Sequence, residues 1–111
     1  MAWVTIDRET IKAELARHYG NANRCTVEAW EAANGEQRKA AYSQRQKMLG
    51  RVFGVEALIL RANGITVSTE YRDEPQYHET MCPRFSAILI NWNDGKPAER
   101  VEIRTGETPQ L

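Results

Sequence analysis

A chain of 111 residues with 15 Lys and Arg, 15 Asp and Glu and no net charge has room for one domain with a true core. Hydrophobic residues at 41% and charged residues at 27% set it apart from disordered and low-complexity chains. A zero balance argues against a dedicated nucleic-acid binder, and no apolar run nears the ~20 residues that span a bilayer.

The opening Met-Ala-Trp-Val-Thr-Ile-Asp has neither a basic n-region nor a long apolar h-region, so a signal peptide is not expected and the cytoplasm is the expected compartment. There Cys25 and Cys82 are expected to be free thiols; in an exported protein one disulfide between them could form. The charge is unevenly spread. Residues 1–51 hold nine basic and six acidic side chains, and residues 52–111 hold six and nine. The two halves can neutralise each other within one fold, or favour head-to-tail contact with a polarised partner.

In chain order, a first helix is expected at about 7–19. Asp7 stands at the N-cap, Ile11, Leu15, His18 and Tyr19 form one stripe, and Gly20 closes it before an Asn21–Asn23 loop. A second, short helix is expected at about 26–33, capped by Thr26 with Cys25 and Trp30 as a hydrophobic staple. A third runs from about 36 to 62, with Ala41, Met48, Val52, Val55 and Ile59 as its stripe; Gly50 and Gly54 are weak points in it.

The apolar period then changes near Asn63-Gly64. One reading is a hairpin that places Leu58, Leu60, Ala62, Ile65, Val67 and Thr69 on one face. The favoured reading ends the helix there, with Leu60 and Ile65 at the C3 and C″ positions of a Schellman cap and Gly64 at C′.

Strands follow at about 65–71, 85–92 and 99–104, as an antiparallel meander with the 85–92 strand in the centre. Trp3, Val4 and Ile6 could add a fourth, edge strand. A polar loop lies between Arg72 and Arg84, and 106–111 reads as a loose tail. The fold class is therefore α+β, one domain over 1–111, with N-terminal helices packed on a three- to four-stranded sheet.

Three features could carry function. On the central strand, strict alternation puts Phe85, Ala87 and Leu89 on one face and Ile88, Ile90 and Trp92 on the other. A single helical layer would leave the second set exposed as apolar anchors for a partner, unless the N-terminal elements cover it. The segment 36–51 holds Arg38, Lys39, Arg45, Lys47 and Arg51 against one acid, Glu36, with Gln37, Ser43, Gln44, Gln46 and Tyr42 between them. Arg38 and Arg45 share a side with Met48 and Val52, so this part of the helix is expected to lie outside the core and to steer an acidic partner. The loop with Asp73, Glu74, His78, Glu79 and Cys82 has side chains fit for acid–base or metal work, yet His78-x-x-x-Cys82 lacks the paired spacings of zinc sites. It also lacks any sign of an activated thiolate.

No dinucleotide-binding, phosphate-loop, zinc-protease or serine-hydrolase motif is present in the sequence. The expected function is therefore a non-enzymatic protein-binding module: a regulator, inhibitor or adaptor of the kind that mobile elements encode. It would act on another protein or a second copy of itself, without cofactor, metal or membrane. Its expected binding residues are Arg38, Arg45, Lys47, Arg51, Ile88, Ile90 and Trp92. The alternatives are a nucleic-acid-associated protein using helix 36–51, which would show steep salt dependence, and a small enzyme centred on the 73–82 loop.

Overall fold

The computed structural model describes residues 7–52, 54, 57–72 and 83–106, with Arg51 described in its backbone alone. The expected edge strand at Trp3, Val4 and Ile6, the loop residues 73–82 and the tail beyond Gly106 lie outside the described residues. The architecture is a small α+β domain: helices α1 (Arg8–Trp30), α2 (Gly35–Arg51) and α3 (Ala57–Ala62) precede strands β1 (Thr66–Tyr71), β2 (Phe85–Asn91) and β3 (Glu99–Glu102).

Asp7 caps α1 as its position suggests. Its carboxylate accepts the Thr10 hydroxyl at 2.6 Å and the Glu9 N–H at 3.1 Å, bonds that hold it below its usual titration range, the Thr10 hydroxyl foremost. The helix does not stop at Gly20. It continues through the expected Asn21–Asn23 loop and the expected second helix as one 23-residue element. Asn is a poor helix former, by several tenths of a kcal/mol, mainly because its side chain competes for nearby backbone groups. Asn23 escapes that competition because its amide is used elsewhere. Its Nδ2 donates to the carbonyls of Phe85 at 2.9 Å and Arg104 at 2.7 Å, and its Oδ1 accepts the Phe85 N–H at 2.7 Å. At about 1 kcal/mol net for each bond, the gain exceeds the propensity cost. Thr26 is likewise interior rather than a cap, and its hydroxyl donates back to the Ala22 carbonyl at 3.1 Å.

After a short turn, Asn34 caps α2. Its side chain accepts the Gln37 N–H at 2.9 Å, while the Gln37 side chain accepts the Ala33 N–H at 3.1 Å. So short a connection lays α2 antiparallel along α1. Ala41, Arg45, Leu49 and Val52 are its buried positions, spaced as one helical stripe. The expected helix over 36–62 is assigned as α2 and α3, with residues 53, 55 and 56 between them outside the described residues. Near Gly50 and Gly54, where propensity is weakest, the backbone at Val52 and Gly54 opens into wider π-type turns before α3 begins. The end of α3 is the expected Schellman cap. The Ile65 N–H donates to the Leu60 carbonyl at 2.9 Å and the Gly64 N–H to the Arg61 carbonyl at 3.0 Å, with Gly64 at φ 73°. The hairpin alternative is thereby excluded.

The sheet is the expected meander in the order β1-β2-β3, all antiparallel. Its faces differ from simple alternation because of a bulge. Glu70 pairs with Ala87 but Tyr71 pairs with Phe85, so Ser86 has no partner on β1. Phe85 is thereby rotated onto the face of Ile88, Ile90 and Trp92. This face also holds Val67 and Thr69 of β1 and Val101 of β3, and it is the one that α1 covers. Leu15, Tyr19 and Ala22 join Phe85, Ile88, Ile90, Trp92 and Ile103 in one core, with Leu49, Val52, Leu60 and Ile65 completing it. Tyr19 meets Phe85 edge to face at 4.8 Å, and burial pushes its phenol up to about 12. The outer face carries Ser68, Glu70, Ala87, Leu89, Arg100 and Glu102. Arg100 reaches across β2 to Glu70 at 3.2 Å and along β3 to Glu102 at 3.2 Å.

The chain leaves β3 and passes close over α1. Gly106, at φ 89°, lies so near the Asn23–Arg24 backbone that a Cβ there would overlap it; the start of the expected loose tail is thus seated against the helix. Replacing Asn23 with Ala would strand the Phe85 N–H and two carbonyls. Urea denaturation of Asn23→Ala should show a loss of about 3 kcal/mol; a loss below about 1 kcal/mol would contradict the role given to this side chain.

Candidate interaction surface

The residues singled out in the sequence divide between core and surface. Ile88 and Ile90 are 0% exposed and Trp92 is 8% exposed. They cannot act as open anchors, because the bulge at Ser86 gathers the bulkier apolar side chains of β2 on one face and α1 seals that face. The large apolar side chains that the described surface does expose are Leu58, Ile59 and Tyr71.

Arg45 also departs from expectation. It is 7% exposed, because α2 lies against α1 along its whole buried stripe. Its Nε donates to the Thr26 hydroxyl at 2.9 Å and its Nη2 to the Pro83 carbonyl at 3.2 Å. Its guanidinium lies 5.3 Å from the centre of the Phe85 ring. One side chain thus joins α1, α2 and the entry to β2. That geometry makes it a brace, and its charge is not presented to an approaching partner.

The outer side of α2 remains open. Gln37, Lys39, Ser43, Gln44, Gln46 and Lys47 are exposed there, and Arg38, on the side of Arg45, is exposed near the start of the helix. Arg38 spends one nitrogen on the Ala29 carbonyl near the end of α1, at 3.4 Å. Lys39 and Lys47 make no ion pair among the described residues. They stand eight residues apart, about 12 Å along the helix axis. The side chain of Arg51 lies outside the described residues. Lys39 belongs to the basic segment but escaped the nomination that fell on Arg45. A helical wheel centred on Ala41 and Leu49 would have exchanged the two, had Arg45 been counted as a residue with its polar end satisfied.

The cations in the first turns of α1 are spent differently. Arg8 pairs with Asp94 at 3.0 Å, and Lys12 pairs with Glu99 and, at 3.2 Å, with Glu9. Glu99 also accepts the Trp92 indole N–H at 3.0 Å, and Arg8 lies over the Trp92 ring at 4.9 Å. The Lys12 bond first, then the indole, holds the Glu99 carboxyl below its usual range; the Lys96 N–H first, then Arg8, does the same for Asp94. Basic residues of the N-terminal half are here matched to acids of the C-terminal half, so part of the charge asymmetry is neutralised within the fold.

The remaining chemistry-bearing residues do not converge. Cys25 is a buried free thiol, and burial first, then Glu28, raises its pKa away from the reactive thiolate. His18 is buried on α1 with its Nε2 3.6 Å from a Glu14 oxygen. Among the described residues no three His, Cys, Asp or Glu side chains gather as a metal-binding group. The candidates His78, Glu79 and Cys82 lie outside the described residues. No helix among the described residues is long and apolar enough to cross a membrane. Comparison with protein-family models, curated proteins and solved structures finds no match.

The two kinds of basic residue on α2 can be told apart by stability. Arg45→Gln should cost about 2 kcal/mol, through its lost hydrogen bonds and stacking. Lys47→Glu should stay within about 0.5 kcal/mol of the parent protein. Equal urea midpoints for the two variants would contradict the assignment of Arg45 to the interior.

Proposed function

We propose that this chain is a non-enzymatic, cofactor-free protein-binding module of the cytoplasm, which captures an acidic protein surface through the outer side of α2 and so serves as a regulator, inhibitor or adaptor. The observation that supports this reading is the exposed pair Lys39 and Lys47, unmatched by carboxylates among the described residues and set among Gln37, Ser43, Gln44 and Gln46. Unneutralised positive charge on a rigid helix raises the encounter rate with an acidic partner. The interspersed amides and hydroxyls can donate and accept hydrogen bonds once water is displaced. Arg38 lies on the α1 side of the helix with Arg45, which braces α2 against α1, and Ile88, Ile90 and Trp92 belong to the core.

A protein partner fits better than nucleic acid. The whole chain is electrically neutral, and phosphate-backbone binding draws on a net basic surface. The test is affinity capture from lysate of the native host at moderate salt, with and without nuclease. The parent protein is compared with a Lys39→Glu/Lys47→Glu variant shown by circular dichroism to keep its fold. The expected result is one stoichiometric protein that survives nuclease and is lost with the variant. Capture that vanishes with nuclease would replace this reading with nucleic-acid association, and capture indifferent to the charge reversal would remove α2 from the interface.

A further inference from the structure

The two edges of the sheet are built differently. β3 closes one edge with four residues, Glu99, Arg100, Val101 and Glu102, three of them charged, and Pro97 stands two residues ahead of it. Short length, charge and proline are the usual guards of an edge against another chain. β1 forms the other edge with six residues, Thr66-Val67-Ser68-Thr69-Glu70-Tyr71, with no proline, no basic side chain and one acid. Among the described residues, β2 is its only neighbour in the sheet.

The phase of the ladder tells which backbone groups this edge offers. The Arg72 N–H donates to the Arg84 carbonyl at 2.8 Å, so Thr66, Ser68 and Glu70, in step with Arg72, turn their backbone groups toward β2. From the other side, the Ile103 N–H donates to the Ser86 carbonyl at 3.0 Å. That turns Ile88 and Ile90 toward β3 and leaves Leu89 and Asn91 for Ser68 and Thr66, the same phase. Val67, Thr69 and Tyr71 therefore point N–H and C=O outward, and among the described residues none of them has a backbone bond on that side. The large apolar side chains exposed among the described residues, Leu58, Ile59 and Tyr71, all fall in the stretch that leads into this edge and along it, as at a contact surface.

We propose that the outer edge of β1 binds a second copy of this chain, β1 against β1 in antiparallel sense about a two-fold axis, to make one continuous sheet. The phase restricts the register, because outward residues must face outward residues. With Thr69 opposite Thr69 of the second copy, Val67 and Tyr71 face each other across the axis and all three outward residues bond. Ser68 then faces Glu70, so no like charges are opposed, and the Val67–Tyr71 and Thr69–Thr69 pairs are of favoured kinds. This strand is thus complementary to itself, as a closed two-fold interface requires, whereas β1 against β3 of another copy would not close. The axis stands perpendicular to the sheet, so both helical layers fall on the same side of it. The interface is separate from the outer side of α2 and does not rest on the partner proposed for it.

The experiment follows the intact protein by sedimentation equilibrium from micromolar to millimolar concentration, with amide hydrogen exchange by NMR at both ends of the range. The expected result is a concentration-dependent dimer. The amides of Val67, Thr69 and Tyr71 should exchange freely in the dilute monomer and become protected in the dimer. Ser68 is exposed, so its replacement tests the register without disturbing the core. Ser68→Glu sets like charges against Glu70 at two symmetric places and should weaken the dimer, whereas Ser68→Lys sets opposite charges there and should tighten it, each by about threefold or more. A monomer at every concentration would overturn the proposal, as would a dimer in which these three amides do not change. Protection already complete in the dilute monomer would mean that another segment of the same chain holds the edge, and would overturn it too. Two Ser68 variants that shift the dimer in the same direction would overturn the register.

Discussion

The arrangement of this domain depends on one amide side chain. Asn23 sits in the middle of α1, fully buried, and joins a helix to two separate stretches of sheet backbone through its bonds to Phe85 and Arg104. Phe85 begins β2 and Arg104 follows β3, so the clamp sets both the depth and the position of α1 on the sheet. Tyr19, one turn earlier, is then placed edge-on to Phe85, and Gly106 is drawn against the helix backbone, where a side chain would not fit. The bulge at Ser86 belongs to the same device. It turns Phe85 inward, where the ring serves Tyr19, Tyr71 and the Arg45 guanidinium together.

This construction leaves few surfaces free. The large apolar side chains of β2 are consumed by the core, and the cations at the start of α1 are consumed by Asp94, Glu99 and Glu9. The outer sheet face is crossed by Arg100, which is matched to two glutamates. Among the described residues the outer side of α2 keeps exposed basic side chains and is supported from beneath by Ala41, Arg45, Leu49 and Val52. A helix so supported loses little freedom when it meets a partner, which lowers the entropic cost of recognition. Arg45 thus contributes to the surface by holding it still.

Much of the fold was legible because it is encoded locally. The change of period at Asn63-Gly64, the Schellman cap there, the Asp7 cap and the order of the strands all follow from residues near one another in the chain. What was not legible depends on distant partners. Gly20 and the Asn21–Asn23 run carry the local marks of a helix end, and only the Phe85 and Arg104 backbone groups, 62 and 81 residues away from Asn23, show why the helix goes on. Ser86 has no feature that announces a bulge, so alternation assigned Phe85 to the wrong face and left Ile88, Ile90 and Trp92 looking exposed. Arg45 reads as a solvent charge until Thr26 and Pro83 are seen to take its hydrogen bonds. The basic segment itself was legible; which of its cations face water was not.

Native-state hydrogen exchange tests the Asn23 clamp most directly. Residue-resolved NMR should find the amides of Asn21 to Arg24 protected as strongly as those of Leu15 to Tyr19. The Phe85 amide, held by the Asn23 oxygen, should exchange only through global unfolding. Rapid exchange confined to residues 20–24, or an unprotected Phe85 amide, would mean that α1 is two helices joined by a loop, and the clamp on which the arrangement of core and surface rests would be gone.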